Sequence, residues 1–395
     1  MRKLVLLPLL IIMISHITYP QVKVKGIIES NFAMMRKGDT IDVLGYDRKF
    51  SGKYLVKDGN KMRYMHSSHV KMLTNDLNFW ELKWFYNRSE QTAINGWEEE
   101  KRSKINNLSY SYTTGVMDDG ILYENEYLYD YIYQKLLTIH PEKLEKKNDT
   151  NFRLLLLKSD YPGTFAFDDG LVVMTTSAIA QTESEEDLTL ELAKAISSIV
   201  LDMNIQYLND NPYKTSPLVN KSNINVINYE AEQVKKMESI AKDYLALHPN
   251  ILTLNEKEYF TRVSDVISYM AWQKYYNLHY QKAYQLVTKL ERLKLATEED
   301  YLLLAKLTRL MHCNEKANKQ ALGYINKARE EGVTKLIDLE KEAGIIFMRL
   351  GEKENAKMAF MNYKKGLLEL GNSGMDVSGE LKKLDHLMFR YNMIN

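Results

Sequence analysis

Two adjoining stretches decide the reading of this chain: GTFAFDDGLVVMTTSAIA, residues 163–180, and EDLTLELAKAISSIVLDMN, residues 186–204. In the second, Leu188, Leu192, Ala195, Ile196, Ile199, Val200 and Met203 recur every three or four residues. That spacing gathers side chains on one face, so 186–204 is predicted to be a buried helix. In the first, Leu171, Val172, Val173, Met174, Thr175 and Thr176 form an apolar and β-branched run directly after Asp168, Asp169 and Gly170. Such a run behind turn residues predicts a strand entered from a tight turn. Working outward, the run 152–157, FRLLLL, is apolar enough to predict a central strand. Residues 122–137 predict an amphipathic helix with Tyr127, Leu128, Tyr131, Ile132, Lys135 and Leu136 along one side, ended by Pro141.

This strand, acidic loop and buried helix resemble the core of the HtpX-like and CAAX prenyl zinc metallopeptidases. In that family an Asn-Ala-Phe-Ala-x-Pro-Gly-Gly turn leads into the substrate-binding edge strand, and Glu-Leu-x-x-x-Leu-Ala-His-Glu-x-x-His forms the active-site helix. Phe165, Ala166 and Gly170 match the turn, and Leu188, Leu192, Ala193 and Ile196 match the helix. The resemblance covers residues 119–250 and implies a zincin-like α/β core, with Leu171, Val172, Val173 and Met174 as the substrate strand.

The chemistry of the family is not carried over. Lys194 stands where the first zinc-binding His belongs, Ala195 where the general-base Glu belongs, and Ser198 where the second His belongs. A zinc of this class needs two imidazoles from one helical face, a carboxylate and a base for the bound water. None of the eight histidines lies between residues 141 and 247, so no shift of register supplies them. The family's third ligand, a Glu in Ser-Arg-x-x-Glu-x-x-Ala-Asp, aligns with Glu232, and Lys236 falls where the Asp would be. Glu232 reads either as a vestigial ligand or as a solvated glutamate, since it lies opposite Val234, Met237, Ala241 and Tyr244. Were it buried, its charge would need a partner, and Lys194 is the expected one. A nucleophilic pair of Ser197 or Ser198 with Lys194 is the alternative chemistry, weakened by its position inside a helix with no oxyanion hole in view.

Composition sets the frame. The chain has 395 residues, enough for two or three domains. With 53 basic and 52 acidic residues it offers no broad electrostatic surface for nucleic acid. Twenty-seven tyrosines against seven prolines suit an ordered chain, and the single cysteine, Cys313, excludes an intrachain disulfide framework. Residues 1–21 begin Met-Arg-Lys, continue apolar to Ile14 and then turn polar. This reads as a secretory signal peptide too short for a stable membrane span, with a retained anchor as the alternative. Either way the body is expected to be exported, in the periplasm or cell envelope.

Residues 22–76 alternate short apolar strands with turns such as Asp58-Gly59-Asn60, and resemble a bacterial SH3-like barrel. His66 and His69, three apart, are weighed as metal ligands, but the surface-loop reading is preferred for want of a third donor. Residues 77–118 are read as a connector. It holds Trp80, Trp84, Phe85, Tyr86 and Trp97, an aromatic set expected to glue two domains, and ends in a polar linker from 101 to 120.

Residues 251–395 read as helical repeats. Ala283, Ala321 and Ala359 are 38 residues apart and open the frames AYxxV, ALxxI and AFxxY, while Ile267, Ala305 and Ala343 repeat in step. Three hairpins near 260–293, 298–331 and 336–370, with the turn 349–356 and a capping helix at 378–391, resemble tetratricopeptide repeats of unusual length.

The expected fold is therefore α+β multidomain: a small SH3-like β-barrel, a zincin-like α/β core and a C-terminal α-helical array. The expected function is that of an exported pseudo-metallopeptidase binding protein or peptide ligands through its repeats and edge strand, in envelope protein quality control, with no cofactor. The competing reading is an active zinc metalloendopeptidase whose site is assembled differently.

Overall fold

The structure is a computed structural model that describes residues 24–47, 52–59, 61–74, 77–87, 97–140, 143–144, 150–204, 231–331 and 337–393. The export segment read in residues 1–21 lies outside them. The architecture is mixed α+β, in the order of a small antiparallel sheet, a helix-backed second sheet and a run of helices.

Strands β1 (Val24–Ile28), β2 (Thr40–Asp47), β3 (Lys53–Asp58), β4 (Lys61–His66) and β5 (Val70–Leu73) form one antiparallel sheet ordered β4-β3-β2-β1-β5. Alternation along β1 turns Val24, Gly26 and Ile28 inward. Gly26 is needed there, because a Cβ would lie 2.6 Å from Val70 Cγ1 and 3.1 Å from Val43 Cγ2. A one-turn 3-10 helix, Ser67–His69, leads into β5, which pairs back on β1.

Helix α1 (Phe79–Asn87) joins this sheet to the rest. Trp80, Trp84 and Phe85 are buried, and the Trp80 indole N–H donates to the Ile139 carbonyl at 2.9 Å. These three aromatics thus serve as packing, whereas Tyr86 is exposed. The polar linker expected at 101–120 is not a linker: Trp97–Asp118 is one helix, α2. Its buried stripe, Ile105, Ser109 and Val116 with half-buried Tyr112, has helical spacing, but two of the four positions are polar or phenolic.

The central unit begins with α3 (Glu126–Ile139), whose N-cap Asn125 accepts from Leu128 N. After the two-residue pair β6 (Lys143–Leu144) and β7 (Thr150–Asn151) come β8 (Arg153–Leu157), β9 (Thr164–Ala166) and β10 (Leu171–Thr175). These last three form a sheet ordered β8-β10-β9, with β10 parallel to β8 and antiparallel to β9. The expected placement is thereby inverted. The run 171–174 is central rather than an edge, and every residue of β10 is buried. The strand expected to be central, β8, lies at one border, where residues 121–123 partly cover it through Tyr123 N to Leu156 O and Lys158 N to Ile121 O. Helices α4 (Thr176–Gln181) and α5 (Glu185–Val200) follow, and α5 packs on β9 and β10. Helix α6 (Ala231–Leu247) lies along α5.

Among the described residues seven helices follow: α7 (Glu256–Tyr276), α8 (Tyr280–Arg292), α9 (Glu298–Met311), α10 (Glu315–Glu330), α11 (Ile337–Leu350), α12 (Lys353–Asn372) and α13 (Ser378–Arg390). The first six pair as three successive hairpins, the seventh packing on α12, and all six register residues, from Ile267 and Ala283 to Ala343 and Ala359, are buried. A polar step repeats in the same register: Ser268 donates to Asp300 at 2.5 Å between α7 and α9, and Lys306 meets Asp338 at 3.5 Å between α9 and α11.

Candidate functional site

Helix α5 starts where its sequence says it should. Ser184 caps it by accepting from Asp187 N at 3.1 Å, and Glu185, Glu186 and Asp187 place negative charge at the positive end of the dipole. Its buried face is the predicted stripe. The motif positions sit on it as follows. Lys194 is a quarter exposed and pairs with Glu191 at 2.7 Å. Ala195 and Ser198 are buried, and the Ser198 hydroxyl donates to the Ala195 carbonyl at 2.7 Å. Ser197 is likewise turned back on its own helix, donating to Ala193 O at 2.8 Å. Hydroxyls spent on the helix backbone are not poised as nucleophiles.

Glu232 is exposed in the first turn of α6. With Lys194 held by Glu191, the expected Lys194–Glu232 pair is not formed. The physical reason is exposure: a solvated carboxylate needs no counter-ion, and an acid three residues back on the same helix is closer at hand. The α6 acid that feels Lys194 is Glu238, which the Lys242 ammonium at 2.6 Å holds below the usual carboxylate range, Lys194 adding a smaller share.

These residues do not fit a zinc ion. An ammonium in an ion pair and a methyl group have no lone pair to offer, and a neutral hydroxyl turned back on its own helix is not the imidazole or carboxylate that this class uses. Among the described residues no three His, Cys, Asp or Glu side chains gather as metal ligands. His66 and His69 each engage a serine through Nδ1, Ser68 and Ser30 respectively.

Among the described residues no strand pairs with the outer side of β9, which the sequence reading took as part of a turn. Phe167 N donates to Leu171 O and Thr175 N to Gly163 O, so residues 163, 165 and 167 turn their backbone toward β10. Thr164 and Ala166 therefore turn theirs outward. The Ala166 carbonyl is capped by Asn204 Nδ2 at 2.9 Å. Thr164 faces a groove of about 430 Å³ bounded by Pro162 and Gly163 on one side, Asp187, Leu190 and Glu191 of α5 on the other, and Gln181 and Thr182 at its base.

Thr175 fixes the wall of this groove. Its hydroxyl accepts from Gly163 N at 2.9 Å and from Ala178 N at 3.2 Å, and donates to Tyr161 O at 3.0 Å, so one side chain ends β10, caps α4 and anchors the approach to β9. From the far side Lys274 of α7 holds the loop through Asp160, at 3.1 Å from Oδ1.

Beneath the groove lies a buried ion pair that the sequence did not announce. Lys135 of α3 meets Glu185 at 2.6 Å, with side chains 7% and 3% exposed. Glu185 also accepts from Thr253 N at 2.6 Å and Leu254 N at 2.9 Å, and Lys135 donates to Ile251 O at 2.8 Å. The pair thus ties α3 and the first turn of α5 to the segment entering α7. Burial pushes the neighbouring Tyr131 and Tyr259 phenols well up, the Glu185 charge adding to the effect on both.

No family model matches the chain, and no curated protein matches it.

Proposed function

We propose that this protein binds an extended peptide by adding it as a strand to β9, over the groove walled by α5, and that it is a metallopeptidase-like scaffold without the zinc chemistry of that family. The observation that carries the reading is the outward-facing backbone of Thr164 opposite Asp187, Leu190 and Glu191. A sheet border beside a side-chain-lined trench is the arrangement that takes up peptides by strand addition. Lys194, Ala195 and Ser198 support the absence of metal-assisted hydrolysis, because none of them can ligate zinc or activate water. In this reading residues 24–73 are an SH3-like barrel, supported by the five-strand order and the 3-10 turn before β5. Residues 256–390 are a tetratricopeptide-like array, supported by the 38-residue register. The protein works outside the cytoplasm, in envelope protein quality control, a setting that rests on the character of residues 1–21.

The test is Thr164→Pro. It removes an outward N–H and leaves the β9–β10 ladder intact, since that ladder uses residues 163, 165 and 167. Peptides selected on the wild-type protein should lose binding to the variant, and amide exchange at Thr164 should slow in the wild type when they bind. Unchanged binding by the variant rejects strand addition. Stoichiometric zinc together with chelator-sensitive casein cleavage rejects the non-catalytic assignment.

A further inference from the structure

Across the Thr182–Glu183 step from that groove lies a second one, of about 400 Å³, formed by one face of α8 and by Glu183. Gln281, Gln285, Thr288, Lys289 and Arg292 line it, spaced so that they stand in a row on successive turns. All are hydrogen-bond donors. The hydroxyl of Thr288 is buried and meets no partner. Lys289 is only 14% exposed; it lies 4.7 Å over the Phe260 ring and is met from across the groove by Glu183 at 2.8 Å, a side chain itself 70% exposed. Arg292 is paired with Glu256 at 3.0 Å, both well exposed.

The repeat supplies the lysine of this row but not the donors that flank it. Shifting by the 38-residue register keeps Lys289 as Lys327 and Lys365, but gives Lys319, Gly323, Asn326 and Glu330 on α10, then Lys357, Met361, Lys364 and Leu368 on α12, in place of Gln281, Gln285, Thr288 and Arg292. The unbroken donor stripe belongs to α8 alone of the three. From Gln281 to Arg292 it runs roughly 16 Å at the helical rise per residue, too long for a single carboxylate and suited to about five residues of extended chain.

We infer that this groove binds an extended Asp- or Glu-rich peptide segment, whose side-chain carboxylates take the place that Glu183 holds against Lys289. Glu183 is a weak occupant: an exposed acid in an ion pair gains little from it. A ligand carboxylate that also reaches Thr288 and Arg292 gains more, through several charge-assisted hydrogen bonds at once. This site is separate from the β9 groove and does not depend on its assignment.

The experiment is a fluorescence-anisotropy titration of the full chain with a labelled oligo-glutamate peptide. Binding should weaken as salt is raised. Lys289→Glu and Arg292→Glu should each weaken it by roughly tenfold or more, and Glu183→Gln should tighten it by releasing Lys289. Should Lys289→Glu unfold the array, Arg292→Glu carries the test, its side chain being 64% exposed. The proposal is overturned if oligo-glutamate does not bind, if Arg292→Glu or Glu183→Gln leaves the affinity unchanged, or if oligo-lysine binds equally well. It is overturned too if amidating the peptide's C-terminus abolishes binding, or if a single-stranded oligonucleotide binds more tightly than the peptide.

Discussion

At the scale of single residues, the ion pair of Lys135 and Glu185 is the most exacting arrangement in the central unit. Truncating one partner leaves the other charged in a site from which water is excluded, so Lys135→Met should cost about 3 kcal/mol or more in urea unfolding. Pairing it with Glu185→Gln should recover part of that loss, because the amide still accepts from Thr253 N and Leu254 N without carrying a charge. A double variant no better than the single one would mean that the loss comes from packing of the lysine stem. The pair was illegible in the sequence because its members are fifty residues apart: Lys135 could be placed on the apolar side of its helix, but nothing local pointed to Glu185 as its partner. The motif positions of α5 were legible, since Lys194, Ala195 and Ser198 are read directly. What those side chains touch was not: the partner of Lys194 is the nearby Glu191, although the likeness to a ligand set drew attention to Glu232.

At the scale of elements, β10 and β8 exchanged roles between expectation and structure, and the reason lies in coverage. A strand hydrogen-bonded on both sides and covered on both faces is apolar along its length, which is the character of β10 from Leu171 to Met174. Arg153 and half-buried Leu155 give β8 the alternation of a border strand. Four consecutive leucines hide that alternation in the sequence, so apolarity alone made 152–157 read as central, while the edge reading of 171–174 came from the family likeness. Helix α2 was missed because Ser109 and Tyr112 interrupt its apolar stripe, so the periodicity that reveals α5 is muted there. The hairpins of the array were plain, because a repeated register reports the same packing three times. One of its contacts is close enough to test. A Cβ on Gly344 of α11 would lie 2.5 Å from the Phe360 ring of α12. Gly344→Ala should therefore destabilise the chain by about 1–3 kcal/mol in chemical denaturation. Phe360→Leu in the same chain should relieve part of it.

At the scale of the whole molecule, buried phenols link its parts to solvent pH. Tyr112 of α2, Tyr123 before α3, Tyr131 of α3 and Tyr259 of α7 are all raised, in each case chiefly by burial. Tyr123 is pushed up to about 12, with Asp265 adding to the effect of burial. In the unfolded chain these groups ionise near the ordinary phenol value of 10.0. Their contribution to stability is therefore complete below that pH and is lost progressively as the pH rises above it, that of Tyr123 by about 12. Thermal unfolding followed by circular dichroism should show a melting temperature that drops steeply over that range, with tyrosinate absorbance rising together with the loss of helix; ionisation that precedes unfolding would show the phenols to be open to water. Helix α7 governs a different property of the molecule. Val263, Val266 and Ile267 sit in the core that backs β10, whereas Ala271, one turn on, sits in the core of the array. The chain is thus less modular than a string of named units suggests. A recombination event that traded the C-terminal helices for those of another protein would have to bring along a matching α7, or leave α3 and α4 without the surface they fit, so inheritance of the two halves is coupled through this one helix.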